Sequence, residues 1–169
     1  MYYAQVNDVL FNLLDSHDTN RLLDKAGHNI DVFYQQLAVL FTMPGSPCIY
    51  YGTEVVMDGS YDPDCRRCMP WDEIDSGKRA NEIAEMKRLI EMRKTLQSCK
   101  SRNFHFPNDV EEKRVISYTK IGENESIQVY INCEEKAVAI DISGFSEVVY
   151  SRGWENGKLA PDGVLILKK

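Results

Sequence analysis

A histidine beside a carboxylate, His17-Asp18, sits in the polar cluster Asp15-Ser16-His17-Asp18-Thr19-Asn20, directly after the apolar run Val9-Leu10-Phe11-Asn12-Leu13-Leu14. Such a pair offers a hydrogen-bond donor and a fixed anion within one turn. In α/β proteins the carboxyl ends of buried strands are where loops meet substrate, so polar side chains there are functional candidates. The same residues also suit a turn cap, for which Ser and Asp are favoured. A second set lies in Asp62-Pro63-Asp64-Cys65-Arg66-Arg67-Cys68-Met69-Pro70-Trp71-Asp72. Asp62 and Arg66 can each contact a polar ligand, or they can pair and brace their own loop; both roles are compatible. Trp71 and Tyr61 can stack on a ligand or anchor the loop by burial.

The elements that position these residues follow from the hydrophobic pattern. Val9–Leu14 reads as a buried strand. Asn29 or Asp31 can cap a helix running to about Thr42, with Phe33, Leu37, Leu40 and Phe41 on its core face. Pro44-Gly45 ends it, and Cys48–Tyr51 reads as a short, fully buried strand stopped by Gly52. From Thr53 to Gly77 there is no periodicity, and a loop of that length in a compact domain is usually a lid or binding loop. Lys78–Gln97 has the clearest helical period, with Ile83, Met86, Leu89, Ile90 and Leu96 inward. After about Ser101 the period changes to two. Val115–Lys120, Ser126–Asn132, Ala137–Ile142, Glu147–Ser151 and Gly163–Lys168 read as strands of an antiparallel sandwich or barrel.

The His17-Asp18 segment resembles the fourth signature segment of the alpha-amylase family of glycoside hydrolases, in the form found in neopullulanases, cyclomaltodextrinases and maltogenic amylases. Pro44-Gly45-Ser46-Pro47-Cys48-Ile49-Tyr50-Tyr51-Gly52-Thr53-Glu54 is similar to the eighth barrel strand and its turn, and Asp62–Asp72 to the substrate-side loop that follows. The resemblance covers about Val9 to Gln97. It implies an α/β plus all-β architecture: residues 1–99 as the carboxyl-terminal part of a TIM (β/α)8 barrel, holding strands 7 and 8 with their helices, and residues 100–169 as a Greek-key β-sandwich.

The resemblance also implies roles. Asp18 stands where the family has a transition-state-stabilising acid that grips sugar hydroxyls. His17 matches a residue that hydrogen-bonds the same ring, and Asp62 and Arg66 match positions that bind a sugar further along the donor side. Arg21 is expected to support the turn carrying Asp18. Cys68 stands where relatives often have proline, a departure that bears on the loop's rigidity. Retaining glycoside hydrolysis needs a nucleophile and an acid/base roughly 5 Å apart. None of the 26 acidic residues stands in a context like the family's two motifs for them. A complete barrel takes on the order of 250 residues, against 169 here. The chain is therefore expected to be the carboxyl-terminal segment of an alpha-glucan or cyclodextrin hydrolase, inactive without a missing amino-terminal barrel portion. The alternative is a non-catalytic carbohydrate-binding or structural β-module, with Tyr150 and Trp154 as its aromatic platform.

Composition sets the remaining bounds. Hydrophobic residues make up 43% and charged residues 27%, ordinary values for a packed domain. A net charge of −6 without a basic patch argues against a nucleic-acid partner. No apolar run approaches a membrane span and no leader is visible. Five cysteines without a framework spacing favour a reducing compartment, hence a cytoplasmic location. Cys65-Arg66-Arg67-Cys68 lacks the further ligands zinc needs and the strand-to-helix context of a redox site, so no metal or cofactor is expected. His28 and His105 read as surface or structural residues. Two barrel strands without neighbours leave open edges, so self-association is expected.

Overall fold

The computed structural model describes residues 3–107, 110 and 114–169. It opens with a short helix α1 (Ala4–Asn7) and two short parallel strands, β1 (Phe11–Leu13) and β2 (Ser46–Cys48), in register Phe11↔Ser46 to Leu13↔Cys48. Between the strands run α2 (Leu22–Lys25) and α3 (Ile30–Thr42). After β2 come 3-10 turns at Thr53–Val55 and Asp64–Arg66, then α4 (Trp71–Asp75) and α5 (Ala80–Thr95). The remainder is antiparallel: β3 (Phe104–His105), β4 (Val115–Ile121), β5 (Ser126–Asn132), β6 (Val138–Ala139), β7 (Glu147–Glu155) and β8 (Lys158–Lys168).

The sheet order is β3-β4-β5-β8-β6, with β7 on the other side of β8. The eleven-residue β8 pairs with β5 along its second half and with β6 at its start. Asn156 and Gly157, both at positive φ (50° and 75°), close the tight β7–β8 hairpin, a turn whose twist matches its strands. Alternation decides which side of the sheet each residue covers. Ile127, Val129 and Ile131 of β5 and Val164 and Ile166 of β8 join Phe33, Leu37 and Phe41 of α3 and Met86, Leu89 and Met92 of α5 in the main core. Tyr130, Leu165 and Leu167 fill a smaller core with Val138, Ile140 and Leu159. One apolar core therefore spans both sides of residue 99.

Polar side chains lock the helices to the sheet. Asn29 caps α3, its Oδ1 accepting from the Asp31 and Val32 amides at 2.9 and 3.2 Å. Gln35 Nε2 donates to the Asn132 and Gly163 carbonyls at 3.2 and 3.3 Å. The carboxyl end of α3, where carbonyls lack helical partners, is held by two buried cations. Lys120 Nζ donates to Thr42 O at 2.6 Å, and Arg93 Nη1 to Phe41 O and Met43 O, both at 2.8 Å. Lys120 is fully buried, its ammonium 4.3 Å from the centre of the Phe104 ring. Arg152 pairs with Asp31 at 2.6 Å and lies over the Tyr34 ring, while the Tyr150 hydroxyl donates to Glu85 at 2.8 Å.

Several sequence expectations shift. The run Val9–Leu14 pairs only over Phe11–Leu13, and the second strand is Ser46–Cys48 rather than Cys48–Tyr51. Neither strand is buried: Val9, Phe11 and Leu13 are 71%, 68% and 45% exposed. Each has one neighbour among the described residues, so the outer faces stay open. Ile90 faces outward at 39% exposure, and Tyr150 is core rather than platform. Trp154 packs on the smaller core. Of the two residues expected to form an aromatic platform, Tyr150 is thus withdrawn into the core and Trp154 is half-buried. The Ala137–Ile142 strand shortens to Val138–Ala139, because Asp141 turns the chain by accepting from the Ser143 amide at 2.9 Å. Helix α4 was not expected. It is joined to the start of α5 through Glu73, which pairs with Lys78 and Arg79 at 2.6 and 2.5 Å. Among the described residues no helix is long and apolar enough to cross a membrane.

Candidate functional site

Because β1 and β2 are parallel, their carboxyl ends lie at the same end of the pair, and the two following loops meet there. Asp15 is the first joint. Only 3% exposed, its Oδ2 accepts from the Leu22 amide at 3.0 Å and from Thr53 Oγ1 at 2.7 Å. It thus ties the loop after β1 to the 3-10 turn after β2. Arg21 is the second joint. Fully buried, it donates from its amide to Gly59 O at 2.9 Å and from Nη1 to Tyr51 O at 2.6 Å. Its guanidinium lies 4.8 and 4.7 Å from the Tyr50 and Tyr51 ring centres. Gly52 permits that approach. It sits at φ 86°, and a Cβ there would fall 2.2 Å from Met57 Sδ and 3.0 Å from Arg21 Nη1.

On this base the Ser16–Thr19 turn presents His17 and Asp18. The Asp18 amide donates to Ser16 Oγ at 3.2 Å, the Ser16 amide to Thr19 Oγ1 at 3.2 Å, and Lys25 Nζ bridges Leu14 O and Thr19 Oγ1 at 2.7 and 3.0 Å. The opposite loop is fastened by Cys65 Sγ, buried and 3.3 Å from His17 O, and by Arg66 Nε, 3.2 Å from the same carbonyl. Arg67 grips both oxygens of Asp64 at 2.7 and 2.8 Å. That fork, with the Ser60 amide, holds the Asp64 carboxyl below the usual carboxylate range.

All four side chains singled out in the sequence come together. His17 Nε2 is 3.1 Å from Asp18 Oδ1, Arg66 Nη2 is 3.9 Å from the same oxygen, and Arg66 Nε is 2.9 Å from Asp62 Oδ1. Asp62 and Arg66 form the local ion pair, and Arg66 also reaches across to the His17-Asp18 loop. The cluster is open: the Asp18 and His17 side chains are 71% and 62% exposed. It is a surface that can exchange hydrogen bonds with a polyhydroxylated ligand, with two carboxylates as acceptors and a guanidinium and an imidazole as donors. Tyr61 and Trp71 are 79% and 63% exposed, so neither anchors the loop by burial.

Sequence reasoning read Asp15 as a turn residue and did not single out Thr53. Their bond spans 38 positions, and no local pattern announces it. It also left His28 without partners. The structure sets that side chain between Asp24 and Asp58, of which only the i,i+4 spacing to Asp24 was visible in the sequence.

Residues 1–105 match the family described as "Alpha amylase, catalytic domain". The chain is 41% identical over 141 residues to the cyclomaltodextrinase of Geobacillus thermopakistaniensis, a match covering 82% of this chain and 23% of that protein. It is 49% identical over 90 residues to the intracellular maltogenic amylase of Bacillus subtilis, covering 53% of this chain and 15% of that protein. The crystal structure of maltogenic amylase from S. marinus superimposes with a TM-score of 0.78 at 30% identity, covering 93% of this chain and 22% of that one. The chain thus spans about a quarter or less of the length of these relatives.

Proposed function

The chain belongs to the alpha-amylase family, and from that membership we propose that it is the carboxyl-terminal segment of a retaining hydrolase of alpha-glucans or cyclodextrins. Residues 1–99 are the last two strand–helix units of a (β/α)8 barrel, and residues 100–169 are the β-domain behind them. The observation that carries the reading is the convergence of His17, Asp18, Asp62 and Arg66 from two loops at one end of two parallel strands. In barrels of this kind that end holds the active site.

In this reading Asp18 binds hydroxyls of the sugar whose bond is cut. A fixed anion interacts more strongly with the oxocarbenium-like transition state than with the neutral ground state, so it accelerates the reaction without itself attacking. His17 donates to the same ring, and Asp62 and Arg66 hold the next sugar on the donor side. The nucleophile and acid/base come from the preceding barrel portion, so the 169-residue chain alone turns nothing over. The intracellular relative and the five unpaired thiols support a cytoplasmic location.

The test is a chimera joining the amino-terminal part of the Geobacillus cyclomaltodextrinase, up to the matched segment, to this chain. The chimera is expected to hydrolyse cyclodextrin, whereas the chain alone is not. Asp18→Asn in the chimera is expected to lower kcat by about 100- to 1000-fold, the usual loss for one electrostatic stabiliser. Turnover by the isolated chain, or a chimera indifferent to Asp18→Asn, refutes the proposal.

A further inference from the structure

The hairpin between β7 and β8 turns on Asn156 and Gly157, and Asn156 is the only asparagine in the chain followed by glycine. That order matters chemically. The backbone nitrogen of the following residue can close a five-membered ring on an asparagine side chain, and glycine has no side chain to obstruct it. A Cβ added at Gly157 would meet nothing within 4 Å, so the space around the residue is open.

The tip also lies outside the contacts that would hold it still. Glu155, Asn156, Gly157 and Lys158 are all exposed. Among the described residues, neither the Asn156 side-chain amide nor the Gly157 N–H has a hydrogen-bond partner. The carboxamide that would be attacked and the nitrogen that would attack it are therefore both uncommitted. Ring closure requires the left-handed backbone at Asn156, φ 50°, to swing out of the closed turn. Exposed loop tips open at little free-energy cost compared with core strands.

We propose that the Asn156-Gly157 tip is a modification site at which the chain converts its own asparagine, through a cyclic imide, to isoaspartate. Hydroxide takes the proton of the Gly157 amide, and the nitrogen forms a bond to Asn156 Cγ. The Cγ–Nδ2 bond then breaks and ammonia leaves. Water opens the ring at one of its two carbonyl carbons. Cutting the new Cγ–N bond gives aspartate, and cutting the original backbone C–N bond gives isoaspartate. The net change is one amide and one water converted to one carboxylic acid and one ammonia.

The product has a structural consequence. Isoaspartate lengthens the backbone by one carbon and adds a negative charge in a two-residue turn whose twist is matched to its strands. The pairs Glu155↔Lys158 and Trp154↔Leu159 start from this tip, Val138↔Leu159 continues them into β6, and the Ile140 amide donates to Gly157 O at 3.2 Å. Conversion should therefore loosen β6 and the edge of the smaller core. None of these residues belongs to the His17-Asp18-Asp62-Arg66 cluster, so the inference stands independently of the glycosidase reading.

The experiment incubates the purified 169-residue chain at pH 7 and pH 9, digests it with trypsin and follows peptide 153–158, beside a synthetic peptide of the same sequence. The chain's peptide is expected to gain one mass unit, faster at pH 9, and to split into aspartyl and isoaspartyl forms, more slowly than the free peptide does. An isoaspartate-specific methyltransferase supplied with S-adenosylmethionine should add one methyl group per converted chain. Asn156→Gly, which leaves a Gly-Gly pair suited to the turn, should abolish that methylation. Hydrogen exchange at the Ile140 amide should be faster in the converted chain. An unchanged chain peptide after the free peptide has converted would overturn the site. So would aspartate formed without isoaspartate, or methylation that persists in Asn156→Gly and so belongs to another position.

Discussion

Replacing Lys120 with methionine tests whether the fold keeps a charged amine out of water at the end of α3. Burial pulls the Lys120 pKa down from 10.5 to about 8. The unfolded chain therefore holds this proton more tightly than the folded one. Between pH 8 and pH 10.5 the unfolded state carries more protons, so stability rises with pH through that window. With those two values, linkage gives a gain of about 1.3 kcal/mol from this one group between pH 7 and pH 9. Cys99 works in the opposite sense: burial raises its thiol from 9.0 to about 11, so its contribution is lost as pH rises past about 9. Lys120 itself lowers the Cys99 pKa, so the folded thiol stays protonated up to pH 9 with or without the lysine. Comparing wild type with Lys120→Met over that range therefore removes nearly all of the cysteine's contribution. Urea unfolding under reducing conditions at pH 7, 8 and 9 is the assay. The wild type should gain about 1 kcal/mol on the variant across that range. At pH 7 two effects oppose each other in the variant: loss of the bonds to Thr42 O and Cys99 O at 2.6 and 3.3 Å, and removal of a costly buried charge. The pH slope, not the absolute offset, is therefore decisive. A constant difference between the two proteins at all three pH values would refute the buried-ammonium account.

Three further outcomes follow from contacts already described. Asp15→Ala leaves the Leu22 amide and the Thr53 hydroxyl without their acceptor. It should cost about 1–3 kcal/mol and speed hydrogen exchange at the Leu22 amide; wild-type exchange there would show that the joint is not closed in solution. Arg152→Ala removes the 2.6 Å pair to Asp31 and the packing over Tyr34. It should lower stability by about 1–3 kcal/mol in thermal unfolding, against almost no change if the pair acts as an ordinary surface bridge. The open apolar strand, with Val9 71% and Phe11 68% exposed, should make the apparent mass in light scattering rise with concentration. Phe11→Lys should suppress that rise, and a wild type that stays monomeric throughout contradicts it.

Legibility in the sequence tracked the range of the interaction responsible. Strand β5 reads off as Ser126–Asn132, as observed, because strict alternation is a local signal. Asn29 reads as one of two candidate caps, with Asp31, because a cap's acceptor role reaches only two and three residues ahead, and the structure selects Asn29. His17, Asp18, Asp62 and Arg66 were legible as candidates through their motifs, yet their assembly depends on contacts such as Arg66 to His17 O, 49 positions apart. Lys120 shows the opposite limit. In a period-two strand a lysine reads as solvent-facing, and its complete burial follows from a helix end and a 3-10 turn brought from elsewhere in the chain. The short pairing of β1 and β2 was also beyond the pattern, since apolar content marks what a strand can bury, not how many neighbours it has.

The shared interior of α3, α5 and the sheet bears on how such chains can be recombined. Phe33, Leu37, Leu89 and Val164 are each wholly buried against one another's elements, so a crossover between residues 99 and 100 would shear a packed interior in half. Exchanging the sheet of one relative for that of another requires carrying both helices with it. A splice placed ahead of β1 leaves that interior whole, but the segment joined there has to cover the open apolar side chains of Val9, Phe11 and Leu13.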